Sequence, residues 1–189
     1  MRQYILHEIG ESPKEEEYYA TISEYLSKNL EAASIQVRGL QLLTSVNAQE
    51  HVEEILSSGI IKHCTRVMDH YRTNGSLQLL GVKMLLHLAF SRNLRQDIFL
   101  SGGLDIAVEA IENFPNHSGI AEDCCDLIYL LSYHLEILQD DEAFESTVSH
   151  VVKALAQNFD MHRKCDSVLM KTLRVLNWLV TQSHSVFTS

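Results

Sequence analysis

Two stretches of this chain repeat one another at a fixed distance, and that limits the fold more than any other feature. With ILSSGIIKHCTRVM (55–68) placed above FLSGGLDIAVEAIE (99–112), Leu56 meets Leu100, Gly59 meets Gly103, Ile60 meets Leu104, Cys64 meets Val108 and Val67 meets Ile111, always 44 residues apart. After another 44, STVSHVVKAL continues three of these columns with Val148, Val152 and Leu155, without the glycine. The segments between them echo one another as well. VRGLQLLTS, VKMLLHLAFS, DLIYLLSY and LRVLNWLVT align on Leu40, Leu85, Ile128 and Leu176, then on Leu43, Leu88, Leu131 and Leu179, at spacings of 45, 43 and 48. Inside each unit the apolar residues fall at i, i+3, i+4 and i+7, the helical period. One such unit cannot bury its apolar face alone, so a drifting period in the mid-forties predicts stacked helical repeats.

Composition agrees with helices. Of 189 residues, 46% are apolar and only Pro13 and Pro115 are prolines, while alternating Val/Thr/Tyr runs are missing; the class is all-α. No apolar run reaches the roughly 18–20 residues of a membrane span, and MRQYILHEIG lacks the apolar core of a signal peptide. The expectation is a cytoplasmic or nuclear protein without membrane insertion. A net charge of −10 argues against a broad nucleic-acid contact, which needs a basic stripe. The four cysteines, Cys64, Cys124, Cys125 and Cys165, have no framework spacing and read as small apolar groups.

The chemistry of a catalyst is hard to find. SGGLD has no preceding strand, no lysine, and an aspartate where a phosphate would sit, so its glycines read as a left-handed turn between helices. His63 and His70 stand seven residues apart, roughly 10 Å along a helix, too far to share a metal. His162 and Cys165 have a ligand-like i, i+3 spacing but no second pair nearby. Cys124 and Cys125 are adjacent and point about 100° apart, unlike a redox pair. No catalytic residue, metal or cofactor is expected.

The order of short helix, SGG turn, second helix GLDIAVEAI, loop ENFPNHSG and long helix IAEDCCDLIYLLSY resembles an armadillo repeat. GGLDIAVEAI and VKMLLHLAF fill the roles of that family's second and third helices. The resemblance spans about residues 17–183 and implies a right-handed α-solenoid of about three to four armadillo-type repeats. The organisation that follows is an N-terminal segment 1–14, a repeat domain 15–183 divided near 46, 91 and 133, and a tail 184–189. Helices are expected over 17–30, 32–46, 48–58, 60–71, 76–91, 93–101, 104–113, 118–133, 135–145, 147–159 and 165–182. Gly75 is expected to supply a positive φ, Pro115 to end the helix before it, and the acidic ESPKEEE (11–17) to start a helix.

In the family the long third helices line the inner surface. In several peptide-binding members a tryptophan, and an asparagine four residues later, recur there. Carried over, the first column reads Arg38, Lys83, Asp126 and Arg174, and the second Leu42, His87, Leu130 and Trp178. Neither ladder is present, a departure from the nuclear-import adaptors. What remains is an apolar stripe, Leu42, Leu130 and Trp178, flanked by Arg38, Lys83 and Arg174. The stripe suits an amphipathic or acidic helix better than a basic tail. The function expected is a non-catalytic interaction scaffold that binds a helical or extended segment of another protein in its concave groove. The alternative is a regulatory armadillo domain of a larger kinase-like or metabolite-sensing protein. The last helix is apolar on several faces (Val168, Leu169, Leu173, Val175, Leu176 and Leu179 among them), and the first unit starts part-way through a repeat. Both suggest self-association or a longer array.

Overall fold

Every element in the computed structural model is a helix. It describes residues 18–45, 47–138 and 141–186, the side chains of 141 and 182–186 excepted, and among them there is no strand. The expected N-terminal segment 1–14, the acidic stretch 11–17 and residues 187–189 of the expected tail lie outside the described residues. The chain divides into two compact units, Met1–Gly103 and Leu104–Ser189. The division falls at the glycine turn itself.

The first unit contains α1 (Tyr18–Lys28), α2 (Ala33–Leu43), α3 (Val52–Ser58), α4 (Ile60–His70), α5 (Gly75–Ala89), a 3-10 turn (Arg92–Leu94) and α6 (Arg95–Leu100). α2 and α4 both pack on α5, and α1 packs on α3 and α4. Ile22, Leu26, Leu40, Ile55, Ile60 and Leu85 form its centre, each at most 1% exposed. Gly59, at φ 73°, ends α3 and starts α4. That left-handed conformation suits a residue without a Cβ. Gly75 does not play the same part. It is the first residue of α5, and Asn74 before it caps the helix by accepting from the Leu77 N–H. An Asn N-cap satisfies one of the orphan donors, so no positive φ is needed here.

Two glutamines on the long helices hold the ends of the preceding ones. The Gln36 amide donates to the carbonyls of Leu26 (2.9 Å) and Asn29 (2.8 Å). The Gln78 amide does the same to Met68 (2.6 Å) and Tyr71 (3.1 Å). The last carbonyls of a helix have no partner within it, so each glutamine closes α1 or α4 from the side. Three residues on, Gly39 and Gly81 sit where a Cβ would collide with Leu26 and Met68 respectively. Gln-x-x-Gly therefore sets both a hydrogen-bonded clamp and a close helix approach. His63 completes the first copy. Its Nε2 donates to the Gln36 Oε1 (2.9 Å), and its Nδ1 accepts from the Ser27 hydroxyl (3.1 Å). This tautomer follows because the Gln36 amide nitrogen is already donating twice.

The second unit runs from α7 (Gly103–Asn113, its first residue at the boundary) through α8 (Ser118–Ser132), a 3-10 turn (Leu135–Ile137) and α9 (Asp141–Met161) to α10 (Asp166–Val186). α10 packs on both α8 and α9. α7 ends two residues before Pro115, as expected, and His117 caps α8 by accepting the Ile120 N–H at Nδ1. The last repeat departs from expectation. The helices expected at 135–145 and 147–159 are a single 3-10 turn followed by one continuous 21-residue helix. Ser146 and Thr147 stand where Gly102 and Gly103 stood 44 residues earlier, and without a residue that favours the left-handed turn the helix does not break. α10 likewise runs past 182 to Val186.

The helix starts refine the repeat. α2, α5 and α8 begin at 33, 75 and 118, spacings of 42 and 43, not 45 and 43. α4 and α7 also correspond at 43. The buried positions 60, 61, 64, 65, 67 and 68 of α4 recur as 103, 104, 107, 108, 110 and 111 of α7. In this register Gly102, not Gly103, matches Gly59, and it alone of the pair has positive φ, at 80°. Gly103 serves a different need: a Cβ there would lie 2.6 Å from the Ile98 Cγ2 and 2.7 Å from its carbonyl oxygen.

Two measurements check these readings. Gly102→Ala is expected to cost about 1 kcal/mol, from backbone strain alone. Gly103→Ala is expected to cost more, roughly 1–3 kcal/mol, because the opposing carbonyl cannot rotate away. Equal losses in urea unfolding would contradict the division of labour between the two glycines. His63 is 3% exposed, and burial, with Arg66 adding repulsion, pulls its pKa down to about 4. The unfolded chain takes up that proton near 6.5, so the stabilisation is complete above pH 6.5. It declines by about 3 kcal/mol as the pH falls towards 4. His63→Leu, which cannot titrate, should lose this part of the pH slope.

Candidate functional site

The eight residues singled out from the sequence fall on the long helices, four in each unit. In the second unit α8 and α10 bring three of theirs into one connected group. Asp126 on α8 pairs with Arg174 and, at 2.8 Å, with Lys171, both on α10; Lys171 also reaches Glu122 at 3.5 Å. The Arg174 guanidinium lies over the Tyr129 ring, 4.3 Å from its centroid. The Tyr133 hydroxyl donates to the Tyr129 hydroxyl (2.7 Å), and its ring stands 4.7 Å from Trp178. Ion pair, cation–π contact and aromatic pair thus run in sequence from Glu122 to Trp178. Leu130, half-buried on α8, flanks them.

Two oppositely charged pairs neutralise this surface. Burial disfavours the Lys171 ammonium, but hydrogen bonds and attraction from Asp126 and Glu122 outweigh it and raise the Lys171 pKa above the ordinary value. Arg174 remains 45% exposed as a side chain, so each pair contributes only about 0–1 kcal/mol, and the cation–π contact about as much.

In the first unit Arg38 on α2 and Lys83 on α5 are exposed, and His87 is half-buried. Leu42 is not on an open stripe: it is 5% exposed and belongs to the core. The helix starts explain why. At spacings of 42 and 43 Leu42 corresponds to Met84 and Leu127, both 0% exposed. The residue that corresponds to Lys83 and Asp126 is Gln41, which is exposed.

Four members of the second-unit group went unnoticed in the sequence: Glu122, Tyr129, Tyr133 and Lys171. Each lies three or four residues from a residue that was singled out, the spacing that places side chains on one helical face. A second signal was missed in the first unit. Between Asp69 and Asp97 the chain has no carboxylate at all, while Arg72, Lys83, Arg92 and Arg95 all lie there. In the same stretch Phe90, at the end of α5, is 63% exposed.

The groups that could carry other chemistry are occupied or shielded. Burial pushes the Cys64 thiol up to about 12 and Cys125 to about 11, and raises Cys124 well above the ordinary thiol value, so none forms a thiolate near neutrality. Cys165 is half-buried and, like the other three, unbridged. Among the described residues no group of three or more His, Cys, Asp or Glu could hold a metal ion, and no helix is long and apolar enough to cross a membrane. Compared with known proteins, the chain matches no family model, no curated protein and no solved structure.

Asp126 is the hub of the charged group, since both cations reach it. Asp126→Asn is expected to lower stability by about 0.5–1 kcal/mol, and Glu122→Gln by less. Urea unfolding followed through Trp178, the single tryptophan, measures both; a larger loss at Glu122 would displace Asp126 from the centre of the group.

Proposed function

We propose that this protein is a non-catalytic, armadillo-type interaction scaffold, and that it binds a segment of another protein on the exposed faces of its long helices. One observation carries this reading. The residues that the resemblance assigns to the binding surface include Asp126, Arg174 and Trp178, and these stand together with Tyr129 and Tyr133 on one face of α8 and α10. Aromatic side chains combined with Arg supply most of the energy of protein recognition, because they bury much area with little loss of freedom. The helices that carry them are held by buried cores, so the face is presented in a fixed geometry and little ordering accompanies binding. The buried thiols favour the same reading over a cysteine nucleophile, since their raised pKa values keep them protonated.

Site-specific photocrosslinking in cells tests the proposal. A benzophenone side chain at position 87 or 130, on the long helices, is expected to capture a discrete protein partner. The same group at position 53, on α3, is not. Equal capture from all three positions, or capture from position 53 alone, would move the interaction off the long helices and sink the reading.

A further inference from the structure

We propose that the exposed face of α5 and of the turn after it docks an acidic protein segment bearing an aromatic or leucine side chain, with Lys83 and Arg92 meeting its carboxylates and Phe90 its apolar group. This rests on the scaffold reading above and names the partner for the first unit.

Charge distribution carries the argument. The chain as a whole is strongly acidic, at −10, yet α2 and α5, which pack on one another, contain no Asp or Glu. The carboxylate-free run extends beyond α5 through the 3-10 turn that carries Arg92, and Arg38, Lys83 and Arg92 are all exposed. A positive face in an acidic protein attracts a segment of opposite sign. The second unit is different: there Glu122 and Asp126 already compensate Lys171 and Arg174, so that surface offers no net charge for selection.

Helix geometry places the apolar anchor on the same face as Lys83, about two turns along. Lys83, His87 and Phe90 are spaced i, i+4 and i+7, and Phe90 keeps helical angles (φ −65°, ψ −27°) as the cap of α5, so the three share one face. The Phe90 ring is 63% exposed, so it offers an apolar contact on this face to a partner's aromatic or leucine side chain. The end of α5 does not need these cations, because Arg95 donates from Nε to the Ala89 carbonyl at 2.7 Å. A basic peptide would face repulsion on this strip. A nucleic acid needs a longer basic track, and the acidic remainder of the chain would repel its phosphates.

Panning a random-peptide phage library on the full chain tests the proposal. Selected peptides should be enriched in Asp and Glu together with Phe, Trp or Leu. A representative synthetic peptide should bind Lys83→Glu/Arg92→Glu, and separately Phe90→Ala, about tenfold or more weakly than wild type, and should weaken with salt. These side chains are exposed, so the variants should keep the wild-type circular dichroism; the milder Lys83→Gln/Arg92→Gln should fall between the two. Peptides of basic or neutral composition would overturn the inference, as would undiminished binding to the charge-reversed variant, the absence of any binder, or tighter binding to a uridine homopolymer. Peptides lost on Trp178→Ala but indifferent to Lys83 and Arg92 would remove the acidic partner and leave the scaffold reading standing. Peptides indifferent to both strips would remove both.

Discussion

The first unit depends on how the carbonyl ends of α1 and α4 are closed. A helix that ends against a packed neighbour cannot rely on water for its last carbonyls, and an orphaned one costs about 1–3 kcal/mol. Turn N–H groups meet the carbonyls of Leu26, Asn29 and Tyr71, and Gln36 and Gln78 reach back from the following long helix to add a side-chain bond to two carbonyls each. Gly39 and Gly81, one turn further on, remove the Cβ that would otherwise hold the helices apart. Clamp and close approach come from one four-residue pattern, so the same pattern fixes both the angle at which the chain turns back and the distance at which α2 and α5 run over the core. What those helices leave exposed, including Arg38 and Lys83, follows from that placement.

The pattern does not extend into the second unit, and the structure changes where it stops. In register with Gln78 and Gly81 stand Ala121 and Cys124, which can neither donate to two carbonyls nor match the close approach of glycine. Buried side chains take over. The Asn158 amide donates to the Thr172 hydroxyl at 3.2 Å, and Cys125 meets the same hydroxyl at 3.5 Å, tying α8, α9 and α10 together inside the core. The glycine turn is lost as well, and α9 becomes one long helix through Thr147. The spacing is longer here too: α8 and α10 begin 48 residues apart, against 42 and 43 for the earlier long helices.

Apolar periodicity showed where the helices lie and which residues meet the core, because a 3.6-residue period fixes a face. It did not fix the turn. A slip of three residues rotates a helix by only about 60° and keeps most leucines inside, so Leu40 could be paired with Leu85 when its true counterpart is Val82. The slip moved Leu42 from the column of Met84 and Leu127 to that of His87, and so from the core to an apparent binding stripe. The polar signals hold the register instead: Gln36 against Gln78, Gly39 against Gly81, and the helix starts at 33, 75 and 118. Glycine pairs mislead for a related reason. Gly102 and Gly103 are neighbours in the chain but answer different constraints, one of backbone angle and one of space, and only coordinates separate them.

A net charge of −10 describes the whole molecule and hides its pattern. Electrostatic attraction acts over about a Debye length, roughly 8 Å at physiological salt, which is less than the length of a single long helix. A partner approaching α5 therefore senses Lys83 and its surroundings before it senses the total. On α10, Lys171 and Arg174 are held against Glu122 and Asp126 of α8, and their field cancels at the same range. Two surfaces built from corresponding helices can thus differ in the sign they present while the sequence columns that define them look alike. Under the proposed scaffold reading, the core positions set the geometry, and the carboxylates beside each exposed cation set the sign of what a face attracts.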